Sequence, residues 1–166
     1  GGCLENRARF LLQTYEVVRN AVGRDFPVSV KLNSADFQKG GFSKEESARV
    51  AGWLSDLGVD LLEISGGTYE QMALLGQGTP SSERKAASTR RREAYFLEYA
   101  RDVRAAANDL PIMVTGGFRT PRLMREVVAS GEVDVIGIAR PFCVVPDVAT
   151  QVLSAGLGAL PAPEKE

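Results

Sequence analysis

Two kinds of residue in this 166-residue chain offer chemistry beyond a packed core: glycine pairs that follow apolar runs, and single cations at the ends of such runs. Gly66-Gly67 follow the run 59–65, Gly116-Gly117 follow 111–115, Arg140 follows 133–139, and Lys31 and Asn33 close 27–33. Glycines let an anion approach backbone N–H groups at a helix start, and a guanidinium can form a charge-assisted fork to phosphate oxygens. Each signal alone also fits a tight turn or a surface salt bridge. Their recurrence on successive units points to phosphate. The chain has no histidine, which excludes Ser-His-Asp and Cys-His catalysis within it and removes the commonest ligand of a catalytic metal. Chemistry here needs a cofactor or a further part of the protein, so no catalytic residue and no metal ligand is assigned.

Cys3 and Cys143 lie near opposite ends in no CxxC or zinc-type spacing and read as structural thiols. Twenty basic residues against 21 acidic ones leave a net charge of −1, which gives no electrostatic case for a nucleic-acid or anionic-membrane partner. No apolar run approaches the roughly 20 residues of a membrane span. A cytoplasmic chain is expected. Its first residues, Gly1-Gly2-Cys3-Leu4, have neither a start methionine nor a signal-peptide core and read as the interior of a longer protein.

The elements that would position these groups follow from periodicity. Leu4, Phe10, Leu11, Tyr15, Val18 and Val22 recur at helical spacing before Gly23. Val28, Val30 and Leu32 alternate with Ser29, Lys31 and Asn33, predicting a strand with one apolar and one polar face. Ser43 and Glu46 have capping-box spacing ahead of Val50, Trp53, Leu54 and Leu57. A second strand follows, then a long polar segment to about residue 92, a helix over 95–107, and a third strand. Thr120-Pro121 then open another helix, a fourth strand succeeds it, and a last helix runs over about 146–155. Strands are expected at about 28–33, 60–65, 111–115 and 134–139, side by side in that order.

Strands joined through helices demand a parallel sheet with right-handed crossovers, so the class is α/β. An open sheet buries both faces of its central strands, whereas Ser29, Lys31 and Asn33 suit the interior rim of a (β/α)8 barrel. A closed barrel takes about 250 residues, so four βα units make half of one.

At the level of motifs, Gly1-Gly2-Cys3-Leu4-Glu5-Asn6-Arg7-Ala8-Arg9-Phe10 resembles the GGSLENRARF segment of the Old Yellow Enzyme family of flavin oxidoreductases. Gly116-Gly117, Thr120-Pro121 and Ile138-Ala139-Arg140-Pro141 resemble that family's late strands. The resemblance implies that residues 1–166 are the C-terminal half of an FMN-binding (β/α)8 TIM barrel, from its fourth helix through its eighth βα unit. It implies reduction of the flavin by NADH or NADPH and of an activated alkene or related acceptor by the flavin. Gly116, Gly117, Ala139 and Arg140 match the family's FMN-phosphate positions, and Lys31 matches the cation beside the pyrimidine edge of the flavin. Cys3, Lys31 and Ala139 stand where Ser, Arg and Gly are commoner.

The family's substrate-polarising histidines and its tyrosine proton donor lie on the first four strands, so the resemblance implies a missing N-terminal half-barrel as partner. A homo-oligomer is also expected. Other readings stay open: Lys31 as the ion-pair partner of a barrel carboxylate such as Glu63, a non-catalytic half-barrel that self-associates without flavin, and another phosphate-binding barrel. Tyr69, Tyr95 and Phe96 read as packing residues beside a possible channel, and Arg90-Arg91-Arg92 as a solvated turn.

Overall fold

Alternation along the first strand separates a greasy face from a polar one; in the computed structural model the greasy face runs across the sheet, while Met113 and Val135 join the polar residues on the other. The structure describes residues 1–36, 40–65, 97–107, 109–116, 118–154 and 158–160. In chain order these form α1 (Leu4–Val22), β1 (Ser29–Asn33), α2 (Lys44–Asp56), β2 (Leu61–Ser65), α3 (97–107), β3 (Ile112–Thr115), α4 (Pro121–Ala129), β4 (Val135–Gly137), a 3-10 turn (Arg140–Cys143) and α5 (Val148–Leu153). The strands pair β1-β2-β3-β4, all parallel, in the expected order.

Val30, Leu62, Ile64, Ile112 and Val114 are buried on one face. Against them pack Leu4, Ala8 and Tyr15 of α1, Val50 and Leu54 of α2, Tyr99 and Val103 of α3, and Met124 and Val127 of α4. Each large aliphatic side chain so buried contributes roughly 1.5–3 kcal/mol. Two lines of side chains cross the opposite face in register. One is Lys31, Glu63, Met113 and Val135; the other, nearer the C-terminal strand ends, is Asn33, Ser65, Thr115 and Gly137.

The capping box forms as expected: Glu46 N–H donates to Ser43 Oγ at 3.2 Å, and Ser43 N–H donates to Glu46 Oε2 at 3.3 Å. The stripe on α1 needs correction. Its buried residues are Leu4, Ala8 and Tyr15, while Phe10 is 82% exposed, because the 4, 8, 11, 15 series holds one helical face and position 10 turns away from it. Thr120 precedes α4 but makes no side-chain cap bond; Pro121 at the first helical position has no N–H to satisfy. β4 ends at Gly137, short of the expected 139, because the chain turns into the 3-10 segment, with Phe142 N–H donating to Ala139 C=O at 3.0 Å. α5 (Val148–Leu153) is likewise shorter than 146–155. Cys3 and Cys143 are exposed free thiols, so neither is a packing residue.

At the N-terminal end of the sheet the same arrangement occurs twice. Asp60, just before β2, accepts Val28 N–H at 2.7 Å and the guanidinium of Arg19, which also donates to the carbonyls of Gly23 and Phe26. Asp134, just before β4, accepts Ile112 N–H at 2.8 Å and Arg104 at 2.6 Å, and Arg104 also donates to Leu110 C=O. Each carboxylate therefore ties the start of the preceding strand to the helix that leads into that strand. The Val28 N–H and Arg19 hold the Asp60 carboxyl below its ordinary value. For Asp134 burial pushes upward, but the Ile112 N–H and Arg104 together outweigh it and the net shift is also downward.

A carboxyl lowered by folding stabilises the fold above its ordinary pKa, and that stabilisation disappears as pH falls through the lowered value. Asp60→Asn and Asp134→Asn are each expected to destabilise the intact protein by about 1–2 kcal/mol at neutral pH, the scale of a charge-assisted bond to backbone. Denaturant melts at several pH values check this: the gap between wild type and variant should be flat above about pH 5 and shrink below about pH 4.

Candidate functional site

The C-terminal ends of β3 and β4 enclose a cleft of about 60 Å³, lined by Thr115, Gly116, Phe118, Arg119, Gly137, Ile138, Ala139, Arg140 and Pro141. Gly116 follows the end of β3, and its φ of +101° is open to glycine and strained for other residues. β4 ends at Gly137, where an added Cβ would stand 2.0 Å from Thr115 Oγ1 and 2.6 Å from Met113 Cε. Only glycine fits between those side chains. Pro141 is buried and fixes the chain as it leaves the sheet, setting Arg140 at the opening of the 3-10 turn.

Three of the five expected cofactor residues, Gly116, Ala139 and Arg140, therefore meet in one cleft. Gly117 lies outside the described residues, as do Gly66-Gly67, Tyr69, Tyr95, Phe96 and Arg90-Arg91-Arg92. Gly116 differs from expectation in one respect: its N–H donates to Gly137 C=O at 3.2 Å, extending the β3–β4 ladder instead of facing the cleft. The N–H groups at Ala139 and Arg140 come before the first bond of the 3-10 turn, in the position of orphan donors at a helix start. Among the described residues the Arg140 side chain, which is exposed, has no ion-pair or hydrogen-bond partner. The cleft lining holds two arginines and no carboxylate.

Lys31 is elsewhere. It stands on β1, at the other edge of the sheet, and its Nζ lies 2.9 Å from Glu63 Oε1, with 58% of the lysine side chain exposed on the face that the helices leave open. The plainer expectation for Lys31, pairing with Glu63, is what the geometry contains, and the cation still points into the space a barrel would enclose. Beside it Ser65 Oγ bonds Asn33 Oδ1 at 3.2 Å, and Asn33 Nδ2 bonds Asp36 Oδ1 at 3.4 Å.

Phe118, Arg119 and Gly137 were not singled out by sequence reasoning, and Thr115 was read only as the residue that closes the third strand before the glycine pair. A signal existed for Gly137, since a glycine inside a strand pattern marks close approach of another group. Nothing local marked the setting of the Thr115 hydroxyl, which lies against Gly137 of β4. Among the described residues no group of three or more His, Cys, Asp or Glu could hold a metal ion, and no helix is long and apolar enough to cross a membrane.

The chain matches the NADH:flavin oxidoreductase / NADH oxidase family over residues 1–156. It is 38% identical over 149 residues to an NADH-dependent flavin oxidoreductase of Hypocrea jecorina, covering 88% of this chain and 36% of that protein. The solved structure of 2-naphthoyl-CoA reductase in complex with 2-naphthoyl-CoA aligns with a TM-score of 0.79 at 27% identity, over 96% of this chain and 23% of the other. An old yellow enzyme homologue from Zymomonas mobilis shares the fold, with a TM-score of 0.65 at 21% identity, over 96% of this chain and 40% of that one. The chain thus spans well under half the length of each. Its four parallel βα units are half of a (β/α)8 barrel. Motif, fold and family match agree, and the chain belongs to the NADH:flavin oxidoreductase / NADH oxidase family.

Proposed function

We propose that this chain supplies the phosphate-binding half of an FMN-dependent NADH or NADPH oxidoreductase that reduces an electron-poor alkene or related acceptor. The observation that carries this reading is the cleft between β3 and β4: an unpaired Arg140, the orphan N–H groups at Ala139 and Arg140, and no acidic side chain in the lining. These residues suit a phosphomonoester, which needs donors and positive charge and is repelled by carboxylates. Gly116 leaves open space at this rim, and Gly137 leaves its own to the Thr115 side chain.

Bound FMN would supply reversible two-electron chemistry between nicotinamide and acceptor. The chain's own residues bind and tune it. Arg140 anchors the phosphate, and Lys31 places a cation on the barrel side of β1, where it would favour the anionic charge of reduced flavin. Glu63 at 2.9 Å partly offsets that cation and fixes its position. Polarisation of the acceptor falls to the other four βα units, since this half brings no histidine. An unsaturated acyl acceptor is in keeping with the similarity to 2-naphthoyl-CoA reductase.

The remaining units would close both edges of the sheet. Among the described residues the exposed large hydrophobics lie at or before Phe26 or at or after Val128, on the two flanks of the chain. Phe10 and Val17 on α1 and Leu153 on α5, 68–85% exposed, suit contacts with neighbouring helices of a complete barrel or with a second copy. A cytoplasmic setting goes with the exposed free thiols, which persist in a reducing compartment.

In the intact protein, Arg140→Ala is expected to weaken FMN binding by roughly 1.5–3 kcal/mol, about ten- to a hundredfold. Flavin titration reads this directly, and an unchanged affinity would leave Arg140 a surface residue. Lys31→Ala is expected to act differently, lowering the flavin reduction potential while changing affinity little. Potentiometry on the two variants separates the roles; an unmoved potential in Lys31→Ala would reduce that residue to its ion pair with Glu63.

A further inference from the structure

Thr115 carries the last side chain of β3 on the face the helices leave open, and its Oγ1 is a buried polar atom with no hydrogen-bond partner among the described residues. The other such atom, Arg104 Nε, belongs to a guanidinium already bonded to Asp134 and Leu110 at the far end of the sheet. A hydroxyl withdrawn from water and left unbonded is costly, and native structures rarely keep one without a partner. Here the fold makes room for it. The hydroxyl occupies the space a side chain at position 137 would need, 2.0 Å from where its Cβ would stand.

The same residue lines the cleft with Gly116, Ala139 and Arg140. Arg140 follows the end of β4, whereas Thr115 belongs to the strand line of Asn33 and Ser65, on the barrel side. An anion held by Arg140 has its ester-linked remainder to place, and the barrel interior is where that remainder must go. In FMN it is a polyol whose hydroxyls both donate and accept, the complement a lone threonine hydroxyl requires. We infer that Thr115 Oγ1 is a positioning contact for the ribityl chain of the flavin, with Gly137 providing its clearance; this rests on the cleft being the FMN-phosphate site.

The test titrates the intact protein with FMN and measures inorganic phosphate as a competitor, alongside thermal melts without flavin. Arg140→Ala should weaken both FMN and phosphate. Thr115→Val should weaken FMN about two- to tenfold, the size of one neutral hydrogen bond, and leave phosphate competition unchanged, while Thr115→Ser stays near wild type. Without flavin, Thr115→Val should melt no lower than wild type, because the methyl replaces a hydroxyl that had no partner. Unchanged FMN affinity in Thr115→Val overturns the inference while leaving the phosphate site standing. Equal weakening of FMN and phosphate overturns it too, moving the hydroxyl onto the phosphate. A clear fall in the melting temperature of unliganded Thr115→Val would show that the hydroxyl already has a protein partner, and would overturn the inference as well. Failure of the wild type to bind FMN would remove the phosphate reading and this inference together.

Discussion

The sheet depends on two carboxylates at its N-terminal end. A parallel strand begins where a helix has just ended, so its first N–H has no partner in the ladder and the loop before it is free to wander. Asp60 and Asp134 answer both problems with one side chain each. Their oxygens take the N–H at the start of the neighbouring strand and a guanidinium rooted in the preceding helix, and that guanidinium ties down the loop carbonyls. With β1 and β3 secured in this way, the alternation of each strand has a fixed phase, and Val30, Leu62, Ile64, Ile112, Val114 and Ile136 meet the helices on one face.

The fixed phase is also what makes a site. Because pairing is parallel and in register, Asn33, Ser65, Thr115 and Gly137 arrive in one line, and the ends of β3 and β4 converge on one cleft. The shape of that cleft is decided by an absence of atoms at Gly137 and by the early turn of the chain at Pro141. Its charge is decided by arginines in a lining that holds no carboxylate, in contrast with Lys31, whose charge is shared with Glu63.

Much of this was readable in the sequence where the cause is local. The alternation of 28–33, the Ser43/Glu46 box and the Thr120-Pro121 helix start depend on residues a few positions apart, and strand order followed from the crossovers. What escaped reading depends on partners distant in sequence. Phe10 looked like part of an apolar stripe until neighbouring helices selected the face containing Ala8. Gly116 looked like a free donor, but its N–H is taken by Gly137 across the ladder. The setting of Thr115 Oγ1 depends on Gly137, which parallel pairing brings alongside from the next βα unit. Arg140 and Lys31 were found by residue type and strand-end position, though only the fold assigns them to opposite edges of the sheet.

The placement of the two aspartates has a further consequence for how such a protein can change. They hold one end of strands whose other end carries the cleft, and four residues of β3 put roughly 13 Å between the two. Substitutions that reshape the ligand-facing rim leave the fastening points untouched, and substitutions that stiffen the fastening do not crowd the rim. A lineage, or a designer, can therefore exchange the loops that choose a substrate without renegotiating the scaffold.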